Sequence, residues 1–441
     1  MDNNGQSIDT LIEARWVVPV EPRGIVYENH AVAVDAGRIV ALLPIGEAKA
    51  RFVARETVTL GHSVLIPGLV NAHTHAGMTL MRGIADDVPL MRWLQEHIWP
   101  AETRHVSPDF VYDGTLAAAA EMLRGGITCA NDMYFFPESA ARAFLDAGMR
   151  AALGIIAFEF PSAYGSGPDD YLAKGLAARD RFGDEDRLTF CLAPHAPYTV
   201  SDKTFRRIVT IAEELDLPVH CHIHETRDEI ERSLAEFRMR PLDRLDALGL
   251  VSPHLIAVHA IHLTVREIEL LAAHGVTVAH CVSSNLKLAS GLAPVAALMA
   301  ANVNVALGTD GAASNNRLDM FQEMRTAALL AKGVSGNAEA MPAHSALYCA
   351  TLAGAKALGI DRVTGSIEVG KTADLCAISM ADPIVAPCFD PVAHIAYVCG
   401  REHVEHVWVA GRRRVRDGRL TNPLLVGLEK RISLWHNKLL A

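Results

Sequence analysis

Two histidines one residue apart, His73 and His75, end the run Leu65-Ile66-Pro67-Gly68-Leu69-Val70-Asn71-Ala72. In an extended strand alternate side chains share a face, so both imidazoles point the same way and can grip one metal ion. Such ligands suit Zn, and also Fe or Ni. More residues of metal or proton-transfer character follow, each at the end of a short β-type run. His195 comes after the Ala193-Pro194 corner, and His222 and Glu225 close the run that starts at Pro218. His259 closes another, and Asp310 follows Leu307-Gly308-Thr309. One such histidine alone is more often structural; a series of them at strand ends points to a site.

Residues of this kind need a scaffold whose strand ends share a face. Beyond Pro67, helical stretches such as 114–123 and 205–215 alternate with β runs at 189–192, 218–222, 255–259, 276–280 and 303–307. The alternation predicts an α/β fold, either a closed parallel barrel or a doubly wound sheet. In a barrel, all strand C-termini open on the face that carries the active site. Ahead of Pro67 the pattern is short strands, with 31–34 and 38–43 flanking the hairpin signal Asp35-Ala36-Gly37. Strand-only texture returns near residue 366, through 365–371, 373–378 and 404–409. The expected organisation is therefore a small β-rich domain shared by residues 1–66 and 366–441 around an α/β unit at 67–365. The segment 78–102, with Met81, Met91, Trp93 and Trp99, reads as a long loop covering the barrel mouth.

The bulk composition narrows the partners. A chain of 441 residues with 50% hydrophobic and 21% charged residues can bury a large core. A net charge of −10 argues against nucleic acid as a partner. The basic cluster Arg412-Arg413-Arg414 reads as a solvated hairpin. The eight cysteines form no C-x-x-C pair, and Cys129, Cys191, Cys221 and Cys281 lie in apolar runs, as free thiols do in a reducing compartment. The polar start Met1-Asp2-Asn3-Asn4-Gly5 lacks a signal-peptide pattern, and no apolar run approaches the ~20 residues of a membrane span. These features predict a cytoplasmic protein with no membrane partner.

The order of these residues resembles the amidohydrolase superfamily, and more narrowly its branch of adenosine-type deaminases acting on S-adenosylhomocysteine and methylthioadenosine. The segments concerned are 67–75, Gly126-Ile127-Thr128, Pro194-His195-Ala196-Pro197-Tyr198, His222-Ile223-His224-Glu225-Thr226, Ser284-Asn285-Leu286-Lys287-Leu288 and 308–316, so the likeness spans essentially the whole chain. It implies a (β/α)8 TIM-like barrel with a small β-sandwich built from both termini. It implies His73, His75, His222 and Asp310 as metal ligands. His220 competes for the third place; the family spacing of a glutamate three residues after the ligand selects His222 with Glu225. His220 is then a packed, hydrogen-bonded histidine deeper in the barrel, and His224 falls on the opposite face. No lysine occurs in 189–195, where binuclear relatives carry a bridging one, so a single ion is implied, Zn2+ first and Fe2+ second. Such an ion brings a water towards a pKa of ~7.

By the same resemblance, Glu225 shuttles protons while His259 and Asp310 orient the attacking oxygen. Glu102 meets the ribose hydroxyls, Trp93 stands near the 5′ substituent, and His195 contacts the substrate. Relatives that take S-adenosylhomocysteine hold its amino-acid tail with arginines after the third strand. Here the matching position falls on Ile155, and 151–178 holds no arginine. A carboxylate tail would be poorly matched there. The implied reaction is hydrolytic deamination of a 5′-modified adenosine, methylthioadenosine ahead of adenosine and S-adenosylhomocysteine, in a homo-oligomer (dimer or tetramer). The alternative is an s-triazine, guanine or pterin-type aminohydrolase on the same scaffold, and Glu102 discriminates, since a free base has no diol to hold.

Overall fold

The computed structural model describes residues 5–440; the polar start at 1–4 and residue 441 lie outside them. Eight strands form one parallel sheet in chain order: β5 (Leu69–Thr74), β6 (Ile127–Asp132), β7 (Arg150–Ala157), β8 (Leu188–Pro194), β9 (Val219–Ile223), β10 (Leu255–His259), β11 (Thr277–His280) and β12 (Asn304–Leu307). Almost every residue in them is buried, as expected when both faces of a parallel strand are covered. The sheet closes on itself. Beyond β12, Asp310 N–H donates to the His73 carbonyl at 3.0 Å. Asn71 Nδ2 donates to Thr309 Oγ1 at 2.7 Å, and Thr309 N–H donates back to Asn71 Oδ1 at 2.9 Å. Gly308 permits this seam, since a Cβ there would stand 2.9 Å from the Cβ of His73. Of the two architectures that the alternation allows, the chain adopts the barrel.

The other strands make a second, mixed sheet. They are β1 (Gln6–Val17), β2 (Tyr27–Asp35), β3 (Arg38–Pro44), β4 (Phe52–Pro67), β13 (Leu375–Ser379), β14 (Val404–Val409), β15 (Arg412–Arg416) and β16 (Arg419–Leu420), in the order β16-β15-β14-β13-β4-β1-β2-β3. The join between the chain ends is β4 against β13, antiparallel, with Leu375 opposite Pro67. Trp408 of β14 shares one apolar cluster with Val34 and Ile39 of β2 and β3, although several strands separate them in the sheet. The sheet must therefore fold over on itself, as a sandwich does. At its closed edge Ala373 N–H donates to the Gly37 carbonyl at 2.9 Å. Ala36 and Gly37 both have positive φ (46° and 77°), the backbone of a two-residue hairpin turn. Alternation along β4 divides its side chains: Leu65 joins this cluster, while Val64 and Ile66 face the main core. Arg150, at the start of β7, pins the two sheets together through Asp374 at 3.0 Å.

Two local expectations need correction. The segment after β5 is no loop: it folds as helical turns at Ala76–Met81, Leu90–Arg92, Trp93–Ile98 and Trp99–His105. Leu90, Trp93, Leu94, Ile98 and Ala101 are buried at helical spacing, a period present in the sequence. The turn before Pro100 is widened, with Trp99 N–H reaching back to the Leu94 carbonyl, because proline crowds the ordinary helical register. Past residue 366 the chain is not strand-only either. Residues 365–371 are turns, and helices form at Pro391–Tyr397, started by the Asp390 cap, and at Glu429–Leu440. The basic triplet does lie in the β15–β16 hairpin, but Arg413 pairs with Glu56 and Arg414 lies against Gly148. The eight cysteines are free, and no described helix is long and apolar enough to cross a membrane.

Candidate metal centre and active-site pocket

Strand ends deliver the imidazoles, and their second nitrogens set how they are used. His75 Nδ1 donates to the Met133 carbonyl at 2.6 Å, and His222 Nδ1 donates to the His195 carbonyl at 2.7 Å. His259 Nδ1 donates to Asn285 Oδ1 at 2.7 Å. Each of the three is thereby held in the tautomer whose Nε2 lone pair faces inward. His73 Nδ1 shares a 2.9 Å hydrogen bond with His220 Nε2, so His220 does sit beneath the site as a packed partner. The buried Nε2 of His73 has no hydrogen-bond partner. Burial lowers the His73 imidazole to about 4, which keeps that nitrogen bare near neutrality.

Asp310 closes the cluster. Its Oδ1 lies 3.3 Å from Nε2 of both His73 and His75 and accepts from Gly311 N–H at 2.7 Å. Its Oδ2 accepts from Ser284 Oγ at 2.6 Å. Two triads are close enough to share an ion, His73 with His75 and Asp310, and His73 with His222 and His259. An orphaned buried nitrogen, inward lone pairs and a hydrogen-bonded carboxylate are the donor set that a divalent cation requires. His259 thus reaches ligand distance as well, a place the family resemblance does not give it. Asp310 (φ 60°) and His259 (φ 68°) both occupy the left-handed region, at a cost of about 1–3 kcal/mol each. Backbone strain of that kind concentrates where side-chain direction matters.

Glu225 Oε1 lies 3.8 Å from His259 Nε2. Burial raises its carboxyl above the usual range, opposed by His259 and reinforced by Asp310. Thr226, not Glu225, caps the helix Arg227–Phe237. Glu229 in that helix accepts from the backbone N–H groups of His224 and Glu225, at 3.0 and 2.9 Å, and so fixes the turn that aims Glu225. His224 points away, with Nε2 accepting from Leu242 N–H at 3.1 Å.

These groups form the floor of a pocket whose lining also includes Trp93, Trp99, Glu102, Tyr134, Phe158 and His195. His73 alone among the expected site residues lies behind the lining rather than in it. His195 Nδ1 donates to Thr199 Oγ1 at 3.1 Å, and burial lowers its imidazole to about 3. Glu102 stands at the far side, accepting from the Tyr134 hydroxyl at 2.8 Å; burial raises it to about 7, with that hydrogen bond pulling the other way. On β7 it is Ile156 that lines the pocket, while Ile155 packs outward on Gly175, as strand alternation requires. The matched position therefore shifts by one, and no arginine or lysine lines the pocket. Sequence reasoning gave no role to Tyr134, Ser284, Asn285 or Glu229. The run Met133-Tyr134-Phe135-Phe136 directly after β6 was a usable signal for the first, as was the position of Ser284 and Asn285 just after β11.

The amidohydrolase family profile matches residues 64–414. A 5-methylthioadenosine/S-adenosylhomocysteine deaminase of Saccharophagus degradans is 44% identical over 99% of this chain and 98% of its own. The crystal structure of an adenosine deaminase from Xanthomonas campestris with bound zinc superposes with a TM-score of 0.97 at 48% identity, covering 99% of both chains. Atrazine chlorohydrolase TrzN from Arthrobacter aurescens, at 22% identity and a TM-score of 0.90 over 97% of this chain and 100% of its own, shares the fold. By its profile match and by relatives alike along nearly their whole length, this chain belongs to the amidohydrolase family.

Proposed function

We propose that the chain is a mononuclear metal-dependent deaminase of adenosine-type nucleosides. It replaces the 6-amino group of the purine by oxygen and releases ammonia, with methylthioadenosine favoured over adenosine and S-adenosylhomocysteine. The observation that carries this reading is the convergence of bare histidine nitrogens on Asp310, with Glu225 beside them and Glu102 across the pocket. His73, His75, His222 and Asp310 are the proposed ligands, and zinc the proposed ion. A divalent cation bound there supplies Lewis acidity, enough for a water to ionise near neutral pH.

The protein's own groups do the rest. Glu225 takes the proton of the attacking water and passes it to the ring nitrogen N1, and its raised carboxyl suits holding a proton in a buried site. His259, locked by Asn285, keeps Nε2 turned to the same oxygen. A second proton leaves with the amine, and C6 keeps the oxygen as a carbonyl. Glu102 accepts from the ribose hydroxyls, Trp93 walls the pocket and His195 contacts the substrate. We further propose that residues 67–365 are the catalytic unit, with 1–66 and 366–441 forming the accessory β domain, and that the free thiols suit a reducing cytoplasm.

The test mixes metal-loaded protein with methylthioadenosine and follows the adenine-to-hypoxanthine absorbance shift together with ammonia release. Turnover is expected. No shift, with turnover of guanine or an s-triazine instead, would move the assignment to a free-base aminohydrolase. S-adenosylhomocysteine consumed more efficiently than methylthioadenosine would contradict the preference for a neutral tail.

A further inference from the structure

The barrel's opposite end holds a cavity of about 440 Å³ for which the deamination chemistry has no use. Thr277 and Asn304, the first residues of β11 and β12, form part of its wall, so it lies at the strand N-termini, away from the metal centre. Three pieces of chain meet over it. The loop between β1 and β2 supplies Arg23, the helix Ala343–Cys349 supplies Ser345 and Tyr348, and the helix Leu352–Ala357 supplies Lys356. The Arg23 guanidinium lies 3.8 Å from the centre of the Tyr348 ring, and the Lys356 ammonium lies 5.5 Å from the same point. No carboxylate lines the cavity, and neither cation has an acidic partner within 4 Å among the described residues. That is notable in a chain with a net charge of −10. Asn304 is held in place, with Nδ2 donating to Thr277 Oγ1 at 3.0 Å and to the Ala353 carbonyl at 3.1 Å, which leaves its side-chain oxygen to accept.

We infer that this cavity is a second binding site, for a small phosphate monoester such as a sugar phosphate. Its only charged side chains are positive, and both are long enough to swing onto one anion. The Arg23 fork matches two phosphate oxygens, and Lys356 adds a second, compact charge. The hydroxyls of Ser345 and Tyr348 are further donors, and the Asn304 oxygen accepts from a hydroxyl on the sugar. The cavity has the size of an ordinary small-molecule site, about 300–1,000 Å³, so a bare phosphate ion would leave most of it to water. A ligand seated there ties the β1–β2 loop of the second sheet to the floor of the barrel, and by linkage it stabilises that junction.

The test is calorimetric titration of the metal-loaded protein with ribose 5-phosphate, ribose and inorganic phosphate, in about 0.1 M salt so that diffuse attraction is screened. The native chain is expected to bind ribose 5-phosphate with a Kd below about 1 mM, inorganic phosphate at least about tenfold more weakly, and ribose not measurably. Arg23→Gln and Lys356→Gln each remove one charge from an exposed position, and each is expected to weaken ribose 5-phosphate binding by about tenfold. Ser345→Trp, which fills the cavity from a half-buried position, is expected to abolish it. Deaminase kinetics should be unchanged in all three variants, because the cavity lies at the other end of the barrel. Ribose 5-phosphate should also raise the native unfolding midpoint, and should not do so when both cations are replaced. Inorganic phosphate bound as tightly as ribose 5-phosphate would mean an adventitious ion only, and would overturn the inference. Binding that the three variants leave within twofold of native would place the ligand elsewhere, at the metal centre first, and would overturn it too. So would a native chain that binds none of the three compounds.

Discussion

Replacing Ser284 by alanine removes one hydrogen bond, and the structure says where the loss should appear. Ser284 is fully buried, and its hydroxyl donates to Asp310 Oδ2 at 2.6 Å. The other carboxylate oxygen keeps its Gly311 N–H and faces His73 and His75. After the substitution Oδ2 is a buried, charged acceptor with no donor. A hydrogen bond to a charged group is worth about 1.5–3 kcal/mol, or roughly 10- to 150-fold in an equilibrium constant. Losing an outer partner of a metal ligand typically weakens metal binding by about 10- to 100-fold. Competition with a chromophoric chelator should therefore show Ser284→Ala binding zinc about 10- to 100-fold more weakly than the native chain. The neighbouring Ser283→Ala is the control. That hydroxyl meets Gln322, at 3.4 Å, and Glu323 rather than Asp310, and its loss should change zinc affinity by less than about threefold. Equal losses in the two variants, or a Ser284→Ala affinity within twofold of native, would refute the reasoning.

Three further outcomes follow from the geometry. Asn285→Ala frees the His259 ring to turn, and steady-state kinetics should show kcat falling by about 10- to 100-fold with KM changing far less. Glu102 is held near 7 by burial, so it gains its charge, and its full capacity to accept hydroxyl hydrogens, as pH rises through neutrality. The kcat/KM for nucleosides should climb through that window, and Glu102→Gln should remove that limb of the pH profile. Glu323 is a buried carboxylate that accepts from Ser283 N–H at 3.1 Å and from Asn315 Nδ2 at 2.9 Å, and so ties together the turns after β11 and β12. Glu323→Gln puts a donor against one of those donors, and urea unfolding should show a loss of about 1–3 kcal/mol.

The barrel was legible because its strands are short, apolar and regularly spaced, and because chemistry-bearing residues stand at their ends. Strand alternation placed His73 with His75; by the same rule His224 would join His222, and it turns away only because the strand ends at Ile223 and His224 takes a φ of 56°. What escaped notice depended on contacts between residues far apart in the chain. The hydrogen bond from Tyr134 to Glu102 and the tie through Glu323 have no spacing rule to announce them, whereas the local clamp of Glu229 on its own turn was open to the Thr226-x-x-Glu229 helix-start spacing. The helices between β5 and β6 were visible in the period of Leu90, Trp93, Leu94 and Ile98, but the segment's place after the first strand, where long loops cover a barrel's mouth, made it read as a loop. The one-residue shift from Ile155 to Ile156 shows the limit of transferring positions by likeness. A strand presents every second side chain, so an offset of one exchanges the pocket for the outer packing.

The central claim is that one metal ion, held by His73, His75, His222 and Asp310, is what makes this pocket reactive. Elemental analysis of the purified active protein, run beside His222→Ala and Asp310→Ala, tests it most directly. The account predicts one divalent ion per native chain, and less than a tenth of that in either variant after brief chelation. Full deaminase activity in protein stripped of every ion would contradict it.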